Sequence, residues 1–101
     1  MDAQSFDMLL DETYTPIIVK FEAPWCGPCK SLIPVIESLK PEFANRAVFV
    51  TIDVDEQPEL AQRYNIRSVP TMMIFKRESA VATKVGISSK EQLRSWLEAH
   101  I

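Results

Sequence analysis

The stretch IIVKFEAPWCGPCKSLIPVIESL, residues 17–39, decides the fold of this chain, because a strand, a turn and a helix follow one another in it. Residues 17–22 are mostly β-branched or aromatic, which favours a strand. Leu32, Ile36 and Leu39 recur at intervals of four and three, which predicts one apolar face of a helix. Two cysteines lie between the strand and the helix.

Cys26 and Cys29 are the only cysteines in the chain, and two residues separate them. This spacing lets one thiol attack the disulfide of a partner while the other stays within reach to release it. The pair can therefore cycle between dithiol and disulfide, which makes redox chemistry the leading hypothesis.

Two other uses of the cysteine pair are weaker. A disulfide across so short a loop removes little entropy from the unfolded chain, which argues against a purely structural bond. A zinc site needs about four ligands, and the one other soft donor is His100 at the far end of the chain. We therefore expect no metal site and no bound cofactor, with the Cys26–Cys29 pair as the redox group.

Length and composition fit one globular domain over residues 1–101, with 47% hydrophobic residues to form a modest core. The formal net charge of −3 argues against nucleic-acid binding, which a basic excess would favour. No apolar run approaches the roughly 20 residues that cross a bilayer, and residues 1–5 lack the features of a secretory signal. We therefore expect a cytoplasmic protein that binds neither nucleic acid nor membrane.

The rest of the chain alternates between helical and extended patterns. Apolar spacing predicts a first helix over residues 3–11, and Pro58 suits the first turn of another helix. Strands are predicted at 47–52, 71–75 and 80–85, and the last two must pair antiparallel because only a short turn joins them. The prediction is an α/β fold with a mixed central sheet flanked by helices.

Residue type also predicts how some helices begin and end. Ser88 and Glu91 have the spacing of a capping box that begins a last helix. Asn45 and Asn65 stand where helices should end, and asparagine tolerates the left-handed backbone conformation that is common there.

The sequence resembles the thioredoxin family over roughly residues 4–101. The resemblance rests on the motif Trp25-Cys26-Gly27-Pro28-Cys29-Lys30 and on matches further along the chain. These matches are Pro34, Asp55, Pro58, Tyr64, Ile66, Arg67, Val69-Pro70-Thr71, Phe75-Lys76 and Lys84-Val85-Gly86. A motif together with a matching distant proline is far more specific than either alone.

The resemblance implies a thioredoxin fold and a protein-disulfide reductase that works by dithiol–disulfide exchange. In that scheme Cys26 attacks the target disulfide and Cys29 resolves the mixed disulfide. A position just before a helix suits Cys26, because the helix dipole stabilises a thiolate there. The implied partners are disulfide-containing proteins as substrates and a thioredoxin-reductase-like electron donor.

The resemblance also implies a cis peptide bond between Val69 and Pro70 and a docking surface around Cys26. The main chain of Val69 would bond an incoming segment in strand fashion. The alternative for Pro70 is an ordinary proline at the start of a strand. The implied docking surface comprises Trp25, Gly27, Pro28, Val54, Val69, Pro70 and Gly86.

Two residues of the first predicted strand depart from the family pattern. Lys20 stands where thioredoxins typically have a buried aspartate that helps take the proton from the resolving thiol. Glu22 stands where they usually have an aromatic or small residue. Their side chains share one face of the strand, so we expect the two to pair and Glu22 to assume part of the proton transfer. The alternative is a solvated ion pair worth under about 1 kcal/mol.

The reversed charge at Lys20 leaves alternatives to a general reductase open. An ammonium group near the thiols favours thiolates and the reduced form, which would make the protein a more oxidising thiol oxidase or a disulfide isomerase. A thioredoxin fold can also act as a binding module, a stoichiometric partner subunit, although the complete Cys-Gly-Pro-Cys motif argues against that.

A third departure lies at the N-terminus, where thioredoxins begin with an edge strand. Only residues 1–4 precede the main part of the first predicted helix, so we expect that strand to be missing or vestigial. In the family arrangement residues 47–52 would then lie at the sheet edge with unpaired backbone groups. The prediction is a monomer in which this edge offers a possible site of association.

Overall fold

The computed structural model describes residues 1–101, and its elements follow the predicted order. The helices are α1 (Ala3–Glu12), α2 (Gly27–Leu39), α3 (Pro58–Arg63) and α4 (Lys90–His100), and a 3-10 helix (Lys40–Phe43) follows α2. The strands are β1 (Ile17–Glu22), β2 (Val48–Asp53), β3 (Thr71–Lys76) and β4 (Ser79–Val85). None of the helices combines the length and the apolar character that crossing a membrane requires.

The four strands form one mixed sheet in the order β2-β1-β3-β4. β1 pairs parallel with β2, because the chain crosses over through α2 between them, and it pairs antiparallel with β3. β3 and β4 form a hairpin in which Lys76 lies opposite Ser79. The prediction of an α/β fold with a mixed central sheet flanked by helices is confirmed.

Strand β2 lies at one edge of the sheet, as predicted for residues 47–52. Within the described residues β2 pairs with β1 alone, so its other side is unpaired. The N–H groups of Val48 and Val54 donate to the carbonyl oxygens of Pro16 and Glu22, on the β1 side. Because strand amides alternate in direction, the amides between these positions point alternately outward.

Apolar layers cover both faces of the sheet, one under α1 and α3 and the other under α2 and α4. The first layer contains Ala3, Phe6, Leu10, Ile17, Val19, Phe21, Ile52, Leu60, Met73 and Phe75. The second contains Ile18, Leu32, Ile36, Leu39, Phe43, Ala47, Met72, Ile74, Leu93 and Leu97. The odd-numbered residues of β1 thus face the first layer, which places Lys20 and Glu22 on the α2 side of the strand.

The capping box that begins α4 is shifted by one residue from the prediction of Ser88 and Glu91, which is wrong. The Ser89 hydroxyl oxygen accepts the N–H of Gln92 at 3.1 Å, and the Gln92 side-chain oxygen accepts the N–H of Ser89 at 3.0 Å. Both pairs have the capping spacing, so local sequence alone does not choose between them.

The two asparagines expected to end helices behave differently. Asn65 follows α3 with a φ of 56°, in the predicted left-handed conformation. Asn45 is not among the residues with positive φ, so that prediction is wrong. The N–H groups of Arg46 and Ala47 both donate to the carbonyl oxygen of Phe43, so successive right-handed turns end this helix instead.

An exposed ion-pair network joins the 3-10 helix to α4. Arg94 donates to the two carboxylate oxygens of Glu42 at 2.7 and 2.9 Å, and the Lys90 ammonium lies 3.6 Å from the same carboxylate. The hydrogen bonds from Arg94 lower the pKa of Glu42 from 4.5 to about 2. The folded state therefore stabilises the ionised form of the Glu42 carboxyl group more than the protonated form.

Replacing Glu42 by glutamine is expected to make stability less sensitive to acid. A carboxyl with a lower pKa in the folded state stabilises the fold above its unfolded pKa, and this contribution is lost as pH falls from about 4.5 to about 2. Urea unfolding at several pH values in that window measures the effect. Glu12→Gln is the control, because Glu12 is exposed and outside the network. Equal acid sensitivity of Glu42→Gln and the parent would contradict the expectation.

Candidate active site

The cysteine pair lies where the chain passes from β1 into α2. Cys26 is the N-cap residue of α2, and its Sγ accepts the N–H of Cys29 at 3.1 Å. Pro28 fits the first turn because its missing N–H would have no partner within the helix. The free N–H groups and the dipole of a helix N-terminus both stabilise negative charge, so α2 would stabilise a thiolate on Cys26.

A disulfide joins Cys26 and Cys29 in this structure, so the site is in its oxidised state. Both residues are buried, with Cys26 3% and Cys29 1% exposed. They pack together with Ala23, and the half-buried Val54 and Val69 cover the cluster. The Cys26 Sγ lies 3.6 Å from the carbonyl oxygen of Val69, so this sulfur directly adjoins a second backbone segment.

An open groove borders the cysteine cluster on the side of Val54 and Val69. Its lining consists of Trp25, Val54, Ile66, Arg67, Ser68 and Val69. The Trp25 side chain is 70% exposed, and its Nε1 donates to Asp55 Oδ2 at 2.9 Å. A large apolar ring that is exposed but held in one orientation is well suited to contact with another protein.

The segment opposite Cys26 contains a cis peptide bond between Val69 and Pro70, as the resemblance implies. Pro70 is buried, and its carbonyl oxygen accepts the N–H of Gly86 at 2.9 Å. Gly86 has a φ of +89°, a conformation that favours glycine. Gly27 is exposed, and a Cβ at that position would meet no atom within 4 Å. These residues lie on the segments around the cysteines, and their role in docking stays a prediction.

Lys20 and Glu22 form the predicted pair on the α2 side of β1. The Lys20 Nζ lies 2.8 Å from Glu22 Oε1, and the two side chains are 7% and 27% exposed. The contact is an ion pair, and the Glu22 oxygen that faces the Lys20 ammonium is buried. Because Lys20 is almost fully buried, the pair is not the solvated surface contact given above as the alternative.

Some residues of this region were not predicted as site residues from the sequence. Asp55 orients Trp25, and Ile66, Arg67 and Ser68 line the groove. The family resemblance includes Asp55, Ile66 and Arg67, which is the signal that could have identified them. Nothing in the sequence distinguishes Ser68.

The two cysteines are buried at a helix N-terminus, beside an open groove, in an α/β fold. These features are typical of proteins that catalyse thiol–disulfide exchange. The sequence matches the thioredoxin family over residues 1–99. A thioredoxin of Haemophilus influenzae is 38% identical over 96 residues, which cover 95% of this chain and 90% of that protein. Thioredoxin 1 of Synechococcus elongatus is 40% identical over 90 residues, which cover 89% and 84% of the two chains.

The chain therefore belongs to the thioredoxin family. It is a thiol–disulfide oxidoreductase, a protein-disulfide reductase whose redox-active group is the Cys26–Cys29 pair. Membership of the family implies, in general terms, disulfide-containing proteins as substrates and a reductase as electron donor.

Proposed function

We propose that Cys26 attacks the target disulfide and that Cys29 resolves the mixed disulfide. The observation that carries this assignment is the N-cap position of Cys26, whose Sγ accepts the N–H of Cys29. The same sulfur adjoins Val69 at the margin of the groove. Cys29 instead lies on the buried face of α2, one turn before Leu32.

The proposed reaction has two exchange steps. In the first, the Cys26 thiolate bonds to one sulfur of the target disulfide, the target S–S bond breaks, and the other target sulfur leaves as a thiolate and takes a proton. In the second, the Cys29 thiolate bonds to Cys26 Sγ and the remaining target sulfur leaves. Two electrons have then passed to the target, and the Cys26–Cys29 disulfide of this structure is the product.

Target recognition is proposed to combine an apolar contact with backbone pairing. An extended target segment would lie along the groove and pair with the main chain of Val69 in strand fashion. Exposed Trp25 and half-buried Val54 would contact its side chains. The proposed docking surface is Trp25, Gly27, Pro28, Val54, Val69, Pro70 and Gly86.

The proposed direction of electron flow is from the cysteine pair to the target. A lone ammonium group near the thiols would favour thiolates and make the pair more oxidising. In this structure the ammonium group of Lys20 lies 2.8 Å from the carboxylate of Glu22, which carries the opposite charge. The electrostatic effects of two opposite charges this close largely cancel at a neighbouring group such as a thiol. The pairing therefore supports a reductase over an oxidase or isomerase.

Equilibration of the purified protein with glutathione tests this direction. Mass spectrometry after acid quenching and alkylation gives the fraction of reduced protein at each glutathione ratio. We expect a potential more negative than about −230 mV, on the reducing side of the glutaredoxins. A potential near about −120 mV, as in strongly oxidising thiol oxidases, would contradict the reductase.

The oxidised pair must be reduced again after each turnover. We propose a thioredoxin-reductase-like protein as the donor and the cytoplasm as the compartment, because a reducing thiol pool keeps dithiols reduced there. The cysteine pair is proposed to need no bound cofactor. Insulin reduction with dithiothreitol as the sole electron source, and no added cofactor, would support that.

The protein is proposed to work as a monomer, although the β2 edge is unpaired. That edge is six residues long and ends in the charged Asp53, features that discourage open-ended strand pairing. Association through residues 47–52 would then be confined to high concentration. Light scattering over a concentration series compares the molar mass with the 11.5 kDa of the chain.

A further inference from the structure

We propose that Arg67 selects target segments that carry an acidic side chain close to the cysteine under attack. The inference rests on the proposed attack by Cys26 and on the groove as the place where the target lies. The other target contacts proposed above are apolar or made by the main chain, and neither kind distinguishes charged targets from neutral ones.

Arg67 lies in the segment that faces the attacking sulfur. The carbonyl oxygen of Val69 is 3.6 Å from Cys26 Sγ, and Arg67 precedes Val69 by two residues. Two residues span at most about 7 Å, so the Cα atom of Arg67 lies within that distance of the Cα atom of Val69. Both residues line the same groove, which has a volume of about 180 Å³. The Arg67 side chain is therefore within reach of a target residue near the attacked cysteine.

The backbone that carries Arg67 is held by the end of α3. The N–H of Asn65 donates to the carbonyl oxygen of Gln62 at 3.1 Å, and the N–H of Ile66 donates to that of Ala61 at 2.8 Å. Asn65 has a φ of 56°, which turns the chain out of the helix. The half-buried Ile66 packs against the first apolar layer. Arg67 thus projects from a fixed position on the backbone.

One edge of the Arg67 guanidinium group is held, and the other is open. Its Nε donates to Asn65 Oδ1 at 3.1 Å. Its two terminal nitrogens have no hydrogen-bond or ion-pair partner within the chain, and the residue is exposed. A guanidinium group has five N–H donors in a rigid fork, and its two terminal nitrogens can bind both oxygens of one carboxylate. The contact with Asn65 therefore orients the group and leaves the carboxylate-binding edge for a ligand.

The other four arginines of the chain are engaged within the fold. Arg46 and Arg94 each donate to both oxygens of one glutamate. Arg63 donates to an aspartate, and Arg77 donates to a backbone carbonyl oxygen and stacks over a tyrosine ring. The arginine that the fold leaves without such a partner is Arg67, the one that lines the groove.

The groove itself offers Arg67 no carboxylate. Its lining residues include neither aspartate nor glutamate. Asp55 holds Trp25, and its Oδ2 accepts the Trp25 Nε1 at 2.9 Å. The chain as a whole carries a net charge of −3, which disfavours acidic targets at long range. A preference for acidic targets would therefore have to come from local contact with Arg67, and the net charge predicts the opposite preference.

Strand spacing predicts where the acidic residue lies in the target. Each residue of an extended target rises by about 3.3 Å, so a side chain two residues from the attacked cysteine lies about 7 Å along the segment. This is the largest separation that two residues allow between Arg67 and Val69. A target that runs in one direction presents a residue before its cysteine to Arg67, and a target that runs in the other direction presents a residue after it.

Peptide disulfides of matched sequence test the preference with the full chain. Each probe is a symmetric disulfide dimer of a short peptide that has one cysteine and otherwise neutral residues. A series places one glutamate at each of the three positions on either side of the cysteine, and each reference peptide has glutamine there instead. Reduced protein is mixed with excess probe at low ionic strength and quenched with acid. Chromatography of the released peptide then gives the second-order rate constant.

We expect the parent protein to react with a glutamate peptide more than about twofold faster than with its glutamine reference at one or more positions, and added salt to reduce the difference. Arg67→Gln should abolish this preference. Arg67→Lys should keep part of it, because an ammonium group lacks the planar fork. Arg67→Glu should instead prefer the matching lysine peptide. Asn65→Gly suits the left-handed backbone but removes the acceptor of Arg67, so it should weaken the preference.

The preference of the parent divided by that of Arg67→Gln isolates the contact, because effects common to both peptides cancel. Lys76→Gln is the matched control. It removes the same charge from an exposed residue at the far end of β3 from Pro70, and it should keep the preference of the parent. Equal loss of preference in Lys76→Gln and Arg67→Gln would overturn the proposal, because net charge would then be the cause. A quotient below about twofold at every position would also overturn it.

The glutamine peptides test the underlying exchange reaction separately. Cys26→Ser should release no peptide from them, because the attacking thiol is absent. Release of peptide by Cys26→Ser would count against attack by Cys26, the proposed function, rather than against the role of Arg67.

Discussion

Replacing Cys29 by serine is expected to convert the protein from a catalyst into a covalent trap for its targets. Cys26 keeps its place at the N-terminus of α2 and can still attack a target disulfide. Without a second thiol the mixed disulfide cannot be resolved, so turnover should fall by at least about a thousandfold, as expected when one member of a catalytic unit is lost. Insulin reduction measures the turnover, and non-reducing electrophoresis detects the trapped adduct.

Cys26→Ser is the matched control for the trap. It should lose turnover to the same extent and form no adduct, because Cys29 lies on the buried face of α2 and does not adjoin the groove. An adduct in Cys26→Ser together with none in Cys29→Ser would reverse the two roles. Appreciable turnover in either variant would contradict exchange through a pair of thiols.

Phe6→Ala is expected to cause the largest loss of stability among single core substitutions in the first apolar layer. Phe6 is completely buried, and its ring packs edge-on against Tyr64 and Phe75, with centroids 5.9 and 5.6 Å away. Truncation of a buried phenylalanine typically costs about 3–5 kcal/mol. Because α1 contributes few other large side chains to this layer, the cavity would also loosen the helix.

Chemical and thermal unfolding measure this loss. Since 1 kcal/mol changes the Tm of a domain of this size by about 4–8 °C, the Tm of Phe6→Ala should fall by more than about 10 °C. Met8→Ala is the matched control on the same helix, because Met8 is 53% exposed and should change stability little. A loss below about 1 kcal/mol for Phe6→Ala would show that the site collapses around the smaller side chain.

The order and type of the elements were predictable because they depend on local patterns. The strand at Ile17–Glu22 and the helix after the cysteines follow from β-branched residues and apolar spacing, and the structure confirms both. The parallel and antiparallel pairings also follow, since connection length limits which strands can pair in which direction.

Single-residue details depended on packing and were less predictable. The capping box at Ser89 and Gln92 differs by one position from the predicted pair, because two overlapping pairs have the capping spacing and local sequence does not choose between them. Asn45 has no left-handed conformation, because Phe43 is buried and the turns after it already satisfy its carbonyl oxygen.

The candidate site was predictable where residues are adjacent in sequence. The spacing of Cys26 and Cys29 predicted the redox pair, and strand periodicity predicted that Lys20 and Glu22 share a face. Periodicity says nothing about depth, so the burial of Lys20 and of its ion pair with Glu22 emerged only from the folded structure. The same holds for the bond from Trp25 to Asp55, which lie 30 residues apart.

The sequence by itself determined the redox chemistry and the element order, because spacing and periodicity are properties of neighbouring residues. The sheet edge at β2 was implied by the family resemblance. The tertiary structure alone decided how the cysteine pair is surrounded. It places Val69 against Cys26, brings Ser68 to the lining of the groove and turns Lys20 and Glu22 into a buried ion pair. These contacts depend on how the layers pack against the sheet, and the free energy of burying a charge is set by that packing and not by the local sequence.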